Sequence, residues 1–499
     1  MSVRVRFAPS PTGTLHVGGV RTALYNYLFA KKNKGTFILR IEDTDQNRFV
    51  PGAEEYIMQS LAWCGIKIDE GVAEGGQFGP YRQSDRKQLY KQYADELVKN
   101  GHAYYAFDTP EELDVLRKSN ANFSYNIHSR LNLKNSLVLT AEETQAKLDA
   151  NQPYVIRIKV PQDEEIRFND IVRGLVTFQS EQIDDKVMFK SDGMPTYHLA
   201  NVVDDHLMQI THVIRGEEWL PSTPVHVLLY RFFGWDETMP QFAHLPLILK
   251  PDGNGKLSKR DGERLGFPVV PLDFENPVTH EKTSGFRDKG FLPEAFVNFL
   301  ALIGWNPGTE QEIFSMDELI ELFDIHKLHK SGARFDFEKA KWFNAEYIKL
   351  LPDTEIAKWL QNHQPDTYSE INLAYLTQAV GLVKERLVFL QDVNHFEYLF
   401  SSPEKYDAVQ SGKLSSFITA FNPDLFESDL DKIVDFNIEN IEATIKNYAQ
   451  EKQLKTGELM KFLRLSLVGE LSGPAIPELI LLFGKAETLK RIKNMMDKV

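Results

Sequence analysis

The sequence is short of cysteine and of long hydrophobic runs. Its one cysteine, Cys64, excludes an intramolecular disulfide and a cysteine-rich zinc site. The longest apolar stretch, around residues 295–305, is interrupted by Asn298 and is too short to span a bilayer. The N-terminus carries Arg4 and Arg6 but lacks the apolar core of a signal peptide. These absences predict a cytoplasmic protein without membrane association.

Positive charge is also in deficit, with 57 lysines and arginines against 71 aspartates and glutamates in 499 residues. The net charge of −14 argues against indiscriminate nucleic-acid binding, which needs a basic surface. A local basic groove remains compatible with it, because salt screens charges beyond about 8–10 Å. The length predicts about three domains, at roughly 150 residues per domain.

The first forty residues have the pattern of a βαβ unit. Alternating apolar and charged residues predict a strand at Val3–Ala8, and Val20–Lys32 and Phe37–Ile41 have the patterns of a helix and a second strand. Such a unit favours a parallel sheet, whose ligands bind at the carboxyl ends of its strands. The Pro/Gly-rich turn at 9–19 and Glu42 both fall at that edge.

Farther along, the sequence changes character several times. Residues 104–190 are polar and rich in asparagine, with short strand-like pieces, and are interpreted as an insertion. Buried strands are predicted at Val187–Val203 and Thr211–Ile214. Residues 267–288 are predicted to form an exposed loop, and helical periodicity dominates from Pro293 onward.

The first candidate for chemistry is the segment Pro9–Gly19, PSPTGTLHVGG, directly before the predicted helix. Its small residues let backbone approach a ligand, the helix N-terminus offers free N–H groups to an anion, and His16 can donate to a phosphate oxygen. Neither common glycine code for nucleotide binding occurs in the sequence. By itself, such a segment is more often a strand-exit turn with an incidental histidine.

The second candidate is the segment Lys256–Arg260, KLSKR, in a loop rich in glycine and aspartate. Three cations within five residues suit a polyphosphate, which gains most from fixed positive charge when its own charge moves. A solvated basic loop is the favoured alternative when this segment is considered alone.

Together the two segments resemble the HIGH and KMSKS signatures of the class I aminoacyl-tRNA synthetases. The order RFAPSPTG, RIEDTD, YHLANVVDDH, VIRGEEW and KLSKR is similar to that of the bacterial glutamyl-tRNA synthetases, and GFLPEAFVNFLALIGW and FDFEKAKWFN extend the similarity into the helical half. The resemblance covers nearly the whole chain. It departs from the family at Gly19, which replaces the last histidine of HIGH, and at Tyr104, Ala106 and Tyr125, where some relatives carry zinc-binding cysteines.

The resemblance implies an α/β N-terminal half, a Rossmann-like parallel sheet with an inserted α+β domain, followed by an all-α C-terminal anticodon-binding half. The implied domains are a discontinuous catalytic domain at 1–103 and 191–255, an inserted acceptor-end-binding domain at 104–190, a stem-contact domain carrying KLSKR at 256–339, and helical anticodon-binding domains at 340–400 and 401–499.

The resemblance also implies an enzyme that ligates L-glutamate to tRNA(Glu) through glutamyl-adenylate, releasing pyrophosphate. It would use ATP with Mg²⁺ and act as a monomer in the cytoplasm, and no structural zinc is expected because this chain lacks the cysteines that bind zinc in some relatives. Two alternatives stay open: an enzyme like the glutaminyl-tRNA synthetases, and a non-catalytic tRNA-binding protein on the same fold. The sequence does not decide whether tRNA(Gln) is charged as well.

The site residues are carried over from the family's motifs, position by position. The resemblance implies that His16 and Lys259 are catalytic and that ATP is bound by His16, Gly18, Gly19, Glu218, Lys256, Ser258, Lys259 and Arg260. It implies that glutamate is bound by Arg6, Ala8, Ser10, Glu42, Tyr197, Asn201 and Arg215, and tRNA by Trp219 and Arg386. Arginine pairs bidentately with carboxylate, and Glu42 can face the substrate ammonium.

Each of these roles has a structural alternative. Arg6 alone is more often a salt-bridge partner, Trp219 a core residue and Arg386 a solvated cation at a helix end. The spacing of an EF-hand loop occurs at Asp43, Asp45, Asn47 and Glu54. However, Arg48 stands where that loop needs glycine, so no metal site is predicted. The run Asp204–His206 is interpreted as capping and packing.

Overall fold

The computed structural model describes residues 2–498. They form two compact units, the first ending at Ala340 and the second beginning at Lys341. The first unit combines sheets and helices, whereas the second is helical. The predicted fold class, an α/β half followed by an all-α half, is therefore confirmed.

The strands all lie in the first unit. They are β1 (Arg4–Phe7), β2 (Thr36–Leu39), β3 (Ala103–Ala106), β4 (Val155–Ile158), β5 (Glu165–Asp170), β6 (Gly174–Gln179), β7 (Val187–Phe189), β8 (His212–Gly216), β9 (Gln241–Leu245), β10 (Ile248–Leu249), β11 (Phe274–Glu275), β12 (Lys282–Thr283) and β13 (Ala333–Arg334). The helices of this unit are α1 (Val17–Lys32), α2 (Ala53–Trp63), α3 (Lys87–Lys99), α4 (Pro110–Ser119), α5 (Ala141–Asp149), α6 (Tyr197–Leu207), α7 (Thr223–Phe232), α8 (Lys259–Leu265), α9 (Pro293–Ala301) and α10 (Met316–Leu322). The division between the units falls within α11 (Phe337–Leu350).

The predicted βαβ unit is confirmed, since β1 and β2 are parallel and α1 connects them. β8 lies beside β1, where the Thr211 amide donates to the Arg4 carbonyl at 2.9 Å, and β9 is parallel to β8. α1 begins three residues earlier than predicted because the His16 side chain caps it. The carboxyl ends of these strands and the start of α1 therefore share one edge of the unit.

The region 104–190 contributes to two sheets. β3, β4 and β7 form an antiparallel sheet of their own. β5 pairs with β6 and with β9, and these three strands form one four-stranded sheet with β8, called the main sheet here. A small separate core of Tyr104, Ala106, Leu113 and Tyr125 supports the first of these sheets. The range thus includes strands of the main sheet, and the limits of the inserted domain stay a prediction.

The predicted strand over Val187–Val203 is wrong beyond its first residues. β7 ends at Phe189, and the segment from Tyr197 onward is the helix α6. α6 is buried on several faces, because Asn201, Asp204 and Asp205 are buried together with its apolar residues. Such a helix lacks the exposed polar stripe of an amphipathic helix, so its pattern resembles that of a buried strand.

The prediction of an exposed loop at 267–288 is wrong in part. Val269, Val270 and Leu272 are buried, and so is Phe286 near the other end of the segment. The exposed part lies between them and contains the short hairpin of β11 and β12. The segment is therefore anchored in the core at both ends.

The second unit is a set of packed helices. They are α12 (Asp353–His363), α13 (Pro365–Tyr368), α14 (Leu373–Val383), α15 (Ala408–Ala420), α16 (Pro423–Asp431), α17 (Ile438–Glu451), α18 (Thr456–Val468) and α19 (Ile476–Lys498), with short 3-10 helices at Lys384–Arg386 and Leu390–Leu399. α12 packs against α14, and α18 packs against α19. Across residues 2–498, no helix is both long and apolar enough to cross a membrane.

Candidate active site

A cavity of about 870 Å³ lies at the carboxyl ends of β1 and β8, beside the start of α1. The predicted site residues that line it are Arg6, Ala8, Ser10, His16, Gly18, Gly19, Glu42, Tyr197, Asn201, Arg215, Glu218, Trp219 and Lys259. A second cavity of about 430 Å³ shares His16, Glu218 and Lys259 with the first and is also lined by Lys256 and Ser258. The structure thus brings the two sequence segments, PSPTGTLHVGG and KLSKR, to one place.

The two ring nitrogens of His16 have different environments. Its Nδ1 accepts from the Gly18 amide at 3.1 Å and caps α1. Its Nε2 is buried and has no hydrogen-bond partner within the described residues. Burial, with a smaller contribution from the nearby Lys259 and Lys256, lowers the pKa of His16 to about 4, so the ring is neutral. Because Nδ1 accepts, the proton resides on Nε2, which is therefore a hydrogen-bond donor at the cavity wall.

Lys259 begins α8 directly after the capping residue Ser258. The Ser258 amide donates to Asp261 Oδ2 at 3.0 Å, and its hydroxyl donates to the same oxygen at 2.5 Å. Gly13 has a φ of +132°, and a Cβ at that position would stand 3.8 Å from Lys259 Nζ. Gly13 allows the left-handed backbone of this turn, and the turn approaches the Lys259 ammonium to contact distance.

Gly19 stands where the HIGH signature has its last histidine. A Cβ at Gly19 would come within 2.6 Å of Leu15 Cδ1 and 3.8 Å of Phe7 Cζ. Real side chains essentially never approach so closely, so a histidine here would require Leu15 to move.

Two cations of the KLSKR loop have positions different from that of Lys259. Lys256 forms an ion pair with Glu218 at 2.6 Å and lines only the second cavity. Burial raises the pKa of Glu218, but the hydrogen bond and charge of Lys256, together with a backbone hydrogen bond and the charge of Arg21, outweigh it, so the net shift is downward. Arg260 is exposed on α8 and lines neither cavity, so the structure does not bring it to the site.

Arg6 is both a cavity residue and a salt-bridge partner. Its Nε and Nη2 donate to the two oxygens of Asp205 at 3.0 and 3.2 Å. Asp205 also accepts from Arg40 Nη1 at 2.7 Å, and all three side chains are buried. The structural alternative for Arg6 therefore holds together with its place at the cavity wall.

Glu42 is the buried one of the acidic residues that line the cavity. Its Oε1 accepts from Arg40 Nη2 and from Asn201 Nδ2, both at 2.9 Å. Burial raises the pKa of Glu42 and outweighs the opposing effect of Arg40 and Arg6. The Ser10 hydroxyl donates to the Glu42 carbonyl at 2.8 Å, which connects the first segment to this residue.

Arg215 approaches the same cavity from β8. Its Nη1 donates to the Tyr197 hydroxyl at 2.6 Å, and the Tyr197 ring lies 4.5 Å from the Trp219 ring. Trp219 is 42% exposed, which does not fit a core residue.

Arg386 lies in the second unit, where it is exposed and its Nη2 donates to the Gly473 carbonyl at 3.1 Å. Its role stays a prediction.

Several buried side chains behind the cavity were not singled out from the sequence for any role at it. They are Arg40, Asp170, Asp205, Thr223 and His244. One sequence feature could have indicated such residues, namely the pair Asp204–Asp205 inside an apolar stretch. A buried carboxylate requires a cationic or hydrogen-bonded partner, so this pair predicts partners elsewhere in the chain. No three His, Cys, Asp or Glu side chains are grouped to hold a metal ion in the part of the chain that is described.

Comparison with known proteins agrees with this geometry. Residues 2–342 match the family model of the catalytic domain of class I tRNA synthetases (E and Q), and residues 352–496 match an anticodon binding domain. The chain is 52% identical to a glutamate–tRNA ligase of Phocaeicola vulgatus, covering 99% of this chain and 98% of that protein, and 54% identical to one of Flavobacterium johnsoniae, covering 99% of each.

Solved structures are similar as well. The crystal structure of a glutamate tRNA ligase from Elizabethkingia meningosepticum, in complex with its amino acid, superimposes with a TM-score of 0.95 at 50% identity. The match covers 100% of this chain and 99% of that one. The glutamate-tRNA synthetase of Elizabethkingia anophelis gives a TM-score of 0.93 at 50% identity, with 100% of both chains covered.

Proposed function

The chain belongs to the class I tRNA synthetases of the glutamate and glutamine type, and from this premise we infer that it is a glutamate–tRNA ligase. In the first step, glutamate and ATP form glutamyl-adenylate and pyrophosphate. In the second, the glutamyl group is transferred to the terminal adenosine of tRNA(Glu), and AMP leaves. The observation that supports this most is one cavity lined by His16, Lys259, two buried arginines and Glu42.

For the first step we propose that positioning and charge stabilisation are sufficient. The attacking carboxylate is already ionised, so no general base is needed, and the developing charge falls on the leaving pyrophosphate. His16, through its Nε2 proton, and Lys259, through its ammonium, are suited to donate to phosphate oxygens. Losing one such donor typically costs about 3–4 kcal/mol, or roughly 10²–10³ in rate.

Selection of glutamate would follow from the other charged residues that line the cavity. Arg6 and Arg215 would receive the side-chain carboxylate, with Tyr197 and Asn201 beside them, and Glu42 would face the ammonium. Glutamine would turn amide donors toward arginine donors, and each unsatisfied buried group costs about 1–3 kcal/mol.

The remaining ATP contacts are proposed for the second cavity. Gly18, Gly19, Glu218, Lys256 and Ser258 line it. Mg²⁺ would arrive with ATP and be held mainly by the phosphates, because such sites use few protein carboxylates. No structural zinc is expected, and the enzyme would act as a monomer in the cytoplasm.

The tRNA would contact both units of the chain. We propose that the region 104–190 holds the acceptor end together with Trp219, and that 256–339 contacts the stem. The helical domains at 340–400 and 401–499 would read the anticodon, with Arg386 among the contacts. RNA bases are read where they are splayed out, by stacking and by hydrogen bonds to their edges.

The two alternatives are less well supported. The family model covers glutamate and glutamine enzymes alike, but the similar proteins named above are glutamate enzymes and the match extends through the helical half. A non-catalytic tRNA-binding protein would have no need for His16 and Lys259 at one cavity.

The test is ATP–pyrophosphate exchange with the purified full-length protein. Radiolabelled pyrophosphate should enter ATP with glutamate when tRNA is present, and much more slowly with glutamine. An absence of exchange under every condition would refute the enzyme assignment, and faster exchange with glutamine would refute the substrate. Charging of tRNA(Glu) and tRNA(Gln) transcripts would then show whether both are substrates.

A further inference from the structure

We propose that His244 is a positioning residue for the glutamate-binding Arg215, and that Asp170 holds it in the tautomer this task requires. The proposal rests on the proposed function, because it takes Arg215 as a contact of the substrate carboxylate. It concerns two buried side chains that no sequence motif marked.

The backbone places these residues side by side. Arg215 on β8 and His244 on β9 are register partners in the parallel pair, and both are buried. Arg215 Nε donates to His244 Nε2 at 3.1 Å, and His244 Nδ1 lies 2.6 Å from Asp170 Oδ2. The three side chains thus form one line from β5 to the cavity.

The chemistry of the two outer groups fixes the proton on the middle one. A guanidinium N–H can only donate, so His244 Nε2 must present its lone pair to Arg215. An ionised carboxylate can only accept, so His244 Nδ1 must carry the proton. Burial lowers the pKa of His244 more than Asp170 raises it, which keeps the ring neutral. Both neighbours therefore demand the same neutral tautomer.

Asp170 is itself held firmly at the end of β5. Its Oδ1 accepts from the amides of Val172 and Arg173 at 2.9 and 2.8 Å, and its Oδ2 accepts from the His244 amide at 3.1 Å. Burial raises the pKa of Asp170, but its hydrogen bonds outweigh this and the net shift is downward. The anchor is thus an ionised carboxylate whose position is set by backbone.

The other two nitrogens of the Arg215 guanidinium are also positioned by hydrogen bonds. Its Nη2 donates to Thr223 Oγ1 at 2.8 Å, and that hydroxyl lies 3.2 Å from His244 Nε2. Its Nη1 donates to the Tyr197 hydroxyl at 2.6 Å. Without the imidazole acceptor, the Nε–H would be buried and unpaired, and the guanidinium would be free to tilt away from the substrate.

A matched pair of variants separates the acceptor from the bulk of the ring. In His244→Gln the amide oxygen can reach the place of Nε2, whereas in His244→Asn the shorter amide lies near Nδ1 and leaves Arg215 Nε without a partner. Aminoacylation by the full chain with saturating tRNA gives the KM for glutamate and, separately, the KM for ATP. His212→Asn is the control, since it removes a half-buried histidine of β8 that lines neither cavity.

We expect His244→Asn to raise the KM for glutamate about tenfold or more, the loss of one hydrogen bond to a charged group. The KM for ATP should change less than about twofold, and His244→Gln should recover most of the glutamate affinity. An inactive wild type would refute the proposed function. An active wild type with unchanged KM for glutamate in both variants, or with Gln as impaired as Asn, would overturn the role of His244.

A spectroscopic measurement keeps the proposal testable if His244→Asn fails to fold. Nitrogen-15 NMR of the histidine-labelled wild type should contain one ring protonated at Nδ1 and not at Nε2, and this signal should be missing from His244→Gln. If that ring were protonated at Nε2 or at both nitrogens near neutral pH, the proposal would be wrong.

Discussion

His16 has two separable functions in the structure, and two substitutions can divide them. Its Nδ1 caps α1 by accepting from the Gly18 amide, while its protonated Nε2 is buried without a partner among the described residues, on a ring that lines the cavity. His16→Asn keeps a side-chain oxygen for the cap, because asparagine is among the best N-cap residues, but removes the distant donor. His16→Ala removes both groups.

The expected magnitudes differ for rate and for stability. Both variants should lose roughly 10²–10³ in the rate of adenylate formation, the typical effect of removing one preorganised donor. Only His16→Ala should lose stability, by about 0.5–2 kcal/mol for a missing N-cap. Pyrophosphate exchange with tRNA measures the first quantity, and urea unfolding measures the second. If His16→Asn kept the full rate, the assignment of Nε2 to the phosphates would be refuted.

The same variants test a pH dependence of stability. The folded-state pKa of His16 is about 4, below its ordinary value of 6.5, so the unfolded chain binds this proton first as the pH falls. The contribution of the neutral His16 ring to the free energy of unfolding is therefore complete above pH 6.5 and is lost as the pH falls from 6.5 to about 4. His16→Asn should show a shallower loss of unfolding free energy over that range than the wild type, and equal slopes would contradict the neutral buried ring.

Three further outcomes follow from other contacts of the site. Lys259→Ala should slow adenylate formation at least roughly tenfold, with tRNA affinity nearly unchanged, as measured by exchange rates and filter binding. Asp205→Asn should raise the KM for glutamate more than the KM for ATP in steady-state charging assays, because Arg6 loses an ionised partner. An equal rise in both KM values would contradict this prediction. Gly19→Val should lower the unfolding midpoint, since its side chain would meet Leu15, and an unchanged midpoint would show that the turn adapts.

Much of the front of the chain could be predicted because its signals are local. The alternation in Val3–Ala8 and the period of Val20–Lys32 follow directly from the geometry of strands and helices, and both elements are present. The meeting of His16 and Lys259 was accessible only through family resemblance, since no local pattern relates residues so far apart in the sequence.

The remainder of the site could not be predicted because it depends on pairing between distant strands. The tautomer of His244 and the anchoring of Arg215 arise from the register of β8 with β9 and of β5 with β9, which one sequence does not reveal. Likewise, the burial of Asp205 on α6 depends on ion pairs with Arg6 and Arg40 from elsewhere in the chain, which the local pattern does not reveal.

The pairing of β5 with β9 limits how modular this protein can be. Asp170 lies inside the stretch 104–190, which would otherwise look like a cassette that could be deleted or exchanged between relatives. Cutting it out whole would remove the carboxylate behind His244 and, with it, the support of the amino-acid pocket. A chimaera that transplants only the outer part, ending before Glu165, would leave β5 in place and should preserve the choice of amino acid.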